Sequence, residues 1–207
     1  HLAALFHDIG KPQVRKEETK VVSSLESDRI IPIITFYNHE KVSSQNAVLI
    51  LERLKFPKKL VQSVSHLILH HMFHYESSWT DAAVRRFVVR VGTEYIESLF
   101  NLRYCDVYGM TGSPPHMHGN PWASSILEFK ERIQGVIDEN SALSLKDLQV
   151  NGKDIMGLGI PSGKHIGLIL EELFSMTIDN PEANDKENLL VIAKKLWEHK
   201  FSKSPCS

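Results

Sequence analysis

The residues best equipped for chemistry stand near the start of the chain. His7 and Asp8 lie side by side in the string Leu5-Phe6-His7-Asp8-Ile9-Gly10-Lys11-Pro12. An imidazole nitrogen and a carboxylate oxygen can share one divalent cation. The ammonium of Lys11 lies within reach of an anion held on that cation. Gly10 and Pro12 stop the apolar helix before the pair, so it sits at a helix end and not mid-span. Farther along, His39, His71 and Asp106 each fall at the end or on the inner face of an expected helix. Four helices of a bundle could therefore converge His7, Asp8, His39, His71 and Asp106 on one point. Nitrogen and oxygen donors of this kind suit Mg, Mn, Ni or Zn, with Fe and Co also compatible. A cation there would polarise a phosphoryl oxygen and acidify a bound water. Taken singly, each residue has a plainer explanation. A histidine on an apolar helix face is usually a hydrogen-bonded structural residue. Asp106 could form an ion pair with Arg85, Arg86 or Arg103. His70, adjacent to His71, points about a quarter-turn away.

The elements that must position these groups are helical. Residues 1–8 read as the last turns of a helix. Residues 13–36 read as a long, partly irregular loop with at most a short strand, because Pro32 argues against a central one. Apolar spacing predicts helices over 39–54 with Asn38 as cap, from Pro57 to about His71, from Thr80 or Trp79 to a stop at Gly92, and over 93–108. Gly109 to Pro121 is loop chemistry and contains His116 and His118. A helix over about 122–139 follows. Residues 140–161 hold short apolar runs broken by glycines. Ser162 is expected to cap a helix to about Thr177, broken by Asn180-Pro181. A last helix covers roughly 185–199, and the chain is expected to fray from Ser202. The reading is all-α, with a bundle over 1–139 and a smaller helical region over 140–207. Residue 1 is histidine with an apolar helix already under way at Leu2, which suggests a chain cut from something longer.

Bulk properties exclude several classes. A net charge of −1 leaves no global basic field, so a polyanionic partner would need a local patch. The two cysteines, Cys105 and Cys206, are far apart. That disfavours a disulfide framework or a cysteine zinc site and suits a reducing cytoplasm. No apolar run is long enough to span a membrane, and no signal-peptide pattern opens the chain. His74 and His199 read as surface residues. Trp122 and Trp197 read as core, and Trp79 as a staple at its helix start.

The order of His7-Asp8, His39, His71 and Asp106 resembles the HD-domain metal-dependent phosphohydrolase superfamily. Longer strings are more specific: Leu2 to Pro12, Phe36-Tyr37-Asn38-His39-Glu40-Lys41, Trp79 to Phe87, Leu99 to Asp106, Val150 to Met156 and Gly159 to Gly167. Together they resemble the HD region and tail of bacterial tRNA nucleotidyltransferases, the CCA-adding enzymes of the poly(A) polymerase family. In that family nucleotidyl transfer belongs to an amino-terminal head with paired aspartates, and nothing here resembles it. The resemblance therefore implies a carboxy-terminal part that contributes RNA binding and an HD site. The superfamily also usually carries a histidine on a helix well upstream of the His-Asp pair; His1, six residues before His7 on the same helix, lies well off its face and does not substitute.

Three readings stay open. In the first, the chain is the non-head part of a tRNA nucleotidyltransferase and its helices grip tRNA. In the second, it is a phosphohydrolase in its own right, acting on a nucleotide or cyclic phosphodiester. His7, Asp8 and Asp106 would then hold the metal, His39 and His71 would complete the shell or touch phosphate, and Lys11 would neutralise developing charge. In the third, the chain is a helical scaffold with no metal. For RNA or phosphate contact the candidates are Lys58 and Lys59 with neighbouring Arg53 and Lys55, Arg85, Arg86, Lys153, and Lys164 after the Gly159–Gly163 turn, where a tight turn between helices is the favoured alternative. From residue 141 eight lysines face nine acids, so any RNA contact there must come from one face and not from bulk charge.

Overall fold

The computed structural model of the chain describes residues 1–23, 28–113, 123–139 and 142–201. Its helices are α1 (Leu2–Phe6), α2 (Lys11–Val14), α3 (His39–Arg53), α4 (Lys58–His70), α5 (Asp81–Val91), α6 (Thr93–Thr111), α7 (Ala123–Asp138), α8 (Gly152–Met156), α9 (Lys164–Asp179) and α10 (Lys186–Leu196). Short 3₁₀ turns cover Leu145–Asp147 and Pro181–Ala183, and a π turn covers Trp197–Phe201. No helix is long and apolar enough to cross a membrane, among the described residues. His116, His118, Trp122, Cys206 and the expected fraying after Ser202 lie outside them.

The segment expected to be irregular is instead a β-hairpin. Strands β1 (Lys16–Ser23) and β2 (Asp28–Thr35) pair antiparallel, with Lys16 opposite Thr35 and Thr19 opposite Pro32. Pro32 is tolerated because both strands of a two-stranded ribbon are edges, so a missing N–H need not break a ladder on both sides.

Two compact units emerge from the packing, and neither is continuous in sequence: residues 1–74 with 94–124, and residues 75–93 with 125–207. This differs from a linear division at residue 139, because α5 and α7 belong with the carboxy-terminal helices. In the first unit Ala3, Ala47, Leu51, Val61, Val64, Ile68 and Leu102 form one buried apolar cluster. These residues come from α1, α3, α4 and α6, so the core fixes the helices that bear the candidate ligands. In the second unit Leu148, Val150, Ile155, Ile160, Ile169, Leu173, Leu189 and Ala193 form another. There too Phe129 stacks on Tyr75 at 4.3 Å and meets Trp79 edge-on at 5.6 Å.

Helix ends follow local chemistry where a side chain can reach. Thr80 caps α5 by accepting from the Ala83 N–H, and Gly92 ends it at φ 87°. Asn151 and Asp154 form a reciprocal capping box on α8, and Asp185 caps α10. Two expected caps differ. Asn38 precedes α3 in the left-handed region (φ 63°) with no side-chain cap bond. The residue before α9 is Gly163 and not Ser162; the His165 ring, folded back to the Pro161 carbonyl at 2.5 Å, stands where a Cβ at 163 would be.

Candidate metal centre

The site is built on four elements of the first unit. His7 and Asp8 leave the end of α1, His39 opens α3, His71 closes α4, and Asp106 projects from α6. The turn after Asp8 is pinned to α3. The Gly10 N–H donates to Ser43 Oγ at 2.9 Å, and a Cβ at Gly10 would stand 2.6 Å from the Ser43 nitrogen and 2.9 Å from the His39 carbonyl. Only glycine permits that approach.

All three imidazoles are oriented alike. The Nδ1 atoms of His7, His39 and His71 contact the carbonyls of Ala4, Phe36 and Ile68 at 2.8, 2.9 and 2.6 Å, each three residues upstream. A carbonyl can only accept, so each Nδ1 carries the hydrogen and each Nε2 is turned to the centre. There His39 Nε2 lies 3.3 Å from His71 Nε2 and 3.2 Å from Asp8 Oδ1. His7 Nε2 lies 3.4 Å from Asp8 Oδ2 and 3.5 Å from Asp106 Oδ1. Ligand atoms of His7, Asp8 and His71 fall within 4.8 Å of one another.

This donor set fits a cation. Two donors bound at 2.0–2.2 Å with ordinary bond angles stand about 3–3.5 Å apart, the spacing found here. The pair His39 and His71 is buried (5 and 1% exposed) and presents two ring nitrogens to each other, both with Nδ1 already protonated. A proton or a cation between them removes the lone-pair repulsion. His71 is held below the ordinary histidine value, first by burial and then by the charges of His7 and His39. His7 is raised, chiefly by its hydrogen bond to Asp106, against the lowering effect of burial. Asp106 is lowered by that same bond and by Arg103, whose Nη1 donates to Oδ2 at 2.9 Å. The raised value of His7 and the lowered value of Asp106 thus share one cause, the contact between the two.

Lys11 Nζ reaches Asp8 Oδ2 at 2.6 Å and lies 5.7 Å over the Phe36 ring. A cavity of about 370 Å³ opens beside His7, Asp8 and Asp106, walled on its apolar side by Ala4, Leu102 and Met110. All six residues expected at the site are thus brought together. Sequence reasoning missed Ser43, whose serine on a helix face gave no signal. It weighed Arg103 only as an alternative explanation of Asp106; the spacing of three residues between them was the signal.

The expected phosphate ligands fare differently. Arg85 is buried, donating Nε to the Ile178 carbonyl at 2.6 Å and Nη2 to the Asp179 carbonyl at 3.3 Å. It caps the end of α9 and is not placed to meet RNA, which corrects that expectation. Arg86 pairs with the Asp179 carboxylate. Lys58, Lys59, Lys153 and Lys164 are exposed. His70 meets His66 edge-on, with ring centroids 4.6 Å apart.

Against known proteins, residues 1–107 match the HD domain family, just over half the chain. A CC-adding tRNA nucleotidyltransferase of Thermus thermophilus is 27% identical over 173 residues, which is 83% of this chain and 34% of that protein. The chain thus spans about a third of the length of that relative. No solved structure matches the chain significantly. The adjacent His-Asp pair that names the family is the pair at the middle of the converged donors, and the chain belongs to the HD domain family.

Proposed function

We propose that the chain is part of a protein that works on tRNA, and that its His-Asp centre is a metal-dependent phosphohydrolase site. The observation that carries the second half is the convergence of three similarly oriented Nε2 atoms with the carboxylates of Asp8 and Asp106. The likeness to a tRNA nucleotidyltransferase supports the first half. Nucleotidyl transfer itself is not proposed for these residues.

His7, Asp8, His71 and Asp106 would hold the cation, with His39 as a further donor. When bound, a divalent ion supplies Lewis-acid activation of a phosphoryl oxygen and a more acidic water. The residues of the chain do the rest. Arg103 fixes one oxygen of Asp106, leaving the other toward the centre. Lys11, held beside the centre by its ion pair with Asp8, offsets charge that develops on a phosphate ester. The cavity wall of Ala4, Leu102 and Met110 gives an apolar surface for the organic part of that ester. Phosphate contacts outside the centre are proposed for Lys58, Lys59, Arg86, Lys153 and Lys164.

The test is elemental analysis after reconstitution with Mn, Ni, Mg or Zn, followed by hydrolysis assays with nucleoside 2′,3′-cyclic phosphate and with phosphomonoesters. Near-stoichiometric metal and turnover that both disappear in Asp8→Ala are expected. Turnover that survives Asp8→Ala would remove the phosphohydrolase reading.

A further inference from the structure

The joint between α3 and α4 carries an unusual residue. Leu54 ends α3, and the Lys55 N–H donates to the Glu52 carbonyl at 2.9 Å while the Phe56 N–H donates to the Leu51 carbonyl at 3.0 Å. Those two bonds define the helix-ending motif in which the residue at position 55 takes a left-handed conformation and is normally glycine. Here it is lysine at φ 61°. Among the described residues only Asn38 is the other non-glycine with positive φ, and asparagine tolerates that region. Lysine has no such local reason, and strain held by an L-residue points to a use for its side chain.

The surroundings say what use. Every residue from 52 to 60 is exposed. Arg53, Lys55, Lys58 and Lys59 supply four cations against the single carboxylate of Glu52. The thirteen residues of α4 contain no Asp or Glu, and its positive dipole end starts at Lys58 in the same corner. Leu54, Phe56 and Leu60 add exposed apolar surface between the cations. On a chain of net charge −1 this is a local basic patch, of a kind that bulk composition does not announce. It also stands apart from Arg85, which is buried against backbone.

We infer that the exposed Arg53–Lys59 corner is an RNA-docking surface, with Arg53, Lys55, Lys58 and Lys59 on backbone phosphates and Phe56 against a base or ribose. Lys55 is kept in a glycine position because its ammonium is needed there. This rests on the reading that the protein works on RNA.

The experiment is anisotropy binding of labelled bulk tRNA to the whole chain across salt concentrations. The fourfold variant R53A/K55G/K58A/K59A is compared with wild type, and K194A/K195A, at two exposed lysines of α10, serves as the control pair. The corner predicts at least about a tenfold weaker affinity for the fourfold variant. It also predicts a salt slope shallower by about three, close to one per phosphate contact removed. Lys55→Gly alone should melt at a higher temperature than wild type while losing about one unit of slope, a split that a purely structural role would not give. If wild type binds no RNA at any salt, the RNA reading fails as a whole. If wild type binds and the fourfold variant binds equally well, only the corner is overturned. Retention of the chain on vesicles with anionic lipid, through these same residues and without RNA binding, would overturn it in favour of a membrane surface.

Discussion

Arg103 and Arg85 are equally buried, at 7% exposure each, yet they do opposite things. In the second unit, Arg85 gives its donors to the carbonyls of Ile178 and Asp179 at the end of α9. Those carbonyls have no partner inside their own helix, so the bonds complete the backbone. In the first unit, Arg103 binds one oxygen of Asp106 and leaves the other facing His7. The histidines follow the same rule: one ring nitrogen is fixed by a local carbonyl and the other is aimed at a shared centre. The lesson is that burial alone does not distinguish structure from function. A buried polar group whose donors end on backbone carbonyls completes the fold, whereas one whose donors hold another titratable side chain in place supports a candidate site.

The widest separation between the two regions should come from Leu173→Ala, deep in the second unit. A loss of about 2–5 kcal/mol in denaturant unfolding is expected from the cavity it leaves, with metal content per folded molecule unchanged. Metal loss in that variant would mean the regions are not independent. His71→Ala should do the reverse. A 100-fold or greater fall in metal affinity by titration calorimetry corresponds to about 2.7 kcal/mol, and the rise in melting temperature on adding Mn or Ni should vanish with it. The two arginines sharpen the contrast at equal burial. Arg85→Met is expected to lower stability by about 1–3 kcal/mol through the stranded carbonyls and to leave metal affinity alone. Arg103→Met is expected to weaken metal affinity about 10–100-fold, as loss of a supporting contact does. Equal effects of the two on both readouts would dissolve the distinction.

The smallest effect concerns charge at the surface of the second unit. Asp154 is held below its ordinary value of 3.8, first by Lys186 and then by the Asn151 N–H at the start of α8. A lowered folded value means that the ionised form is favoured by folding. Its contribution is present above the unfolded value and lost as pH falls through the lower folded one. Asp154→Asn should therefore melt slightly below wild type at pH 7, and the gap should close on acidification below the carboxylate range. A gap that stays constant down to pH 2 would assign the effect to the capping geometry and not to charge.

Much of the helical architecture was readable because its signals are local. Thr80 and Gly92 bracket α5, Asn180-Pro181 ends α9, and apolar spacing marks α3, α4 and α10. The hairpin was not readable: a short strand was allowed near Pro32, but its partner β1 opens on Lys16-Glu17-Glu18-Thr19-Lys20, with no apolar alternation to announce a strand. Arg85 was misread as an RNA ligand because its partners stand more than ninety residues away. The corner at Lys55 was visible as a run of charge, but its left-handed backbone was not, because lysine has no preference that announces it.

Most of the longer helices, the His-Asp pair at a helix end and the family were legible in the residue order, since all of these rest on residue types at short spacing. It took the folded arrangement to bring His39 Nε2 against His71 and Asp8, to set His7 against Asp106, and to have one buried arginine hold Asp106 while the other closes a helix. Those outcomes depend on how the apolar faces of separate helices pack in the core, and packing sets distances that spacing along the chain does not encode.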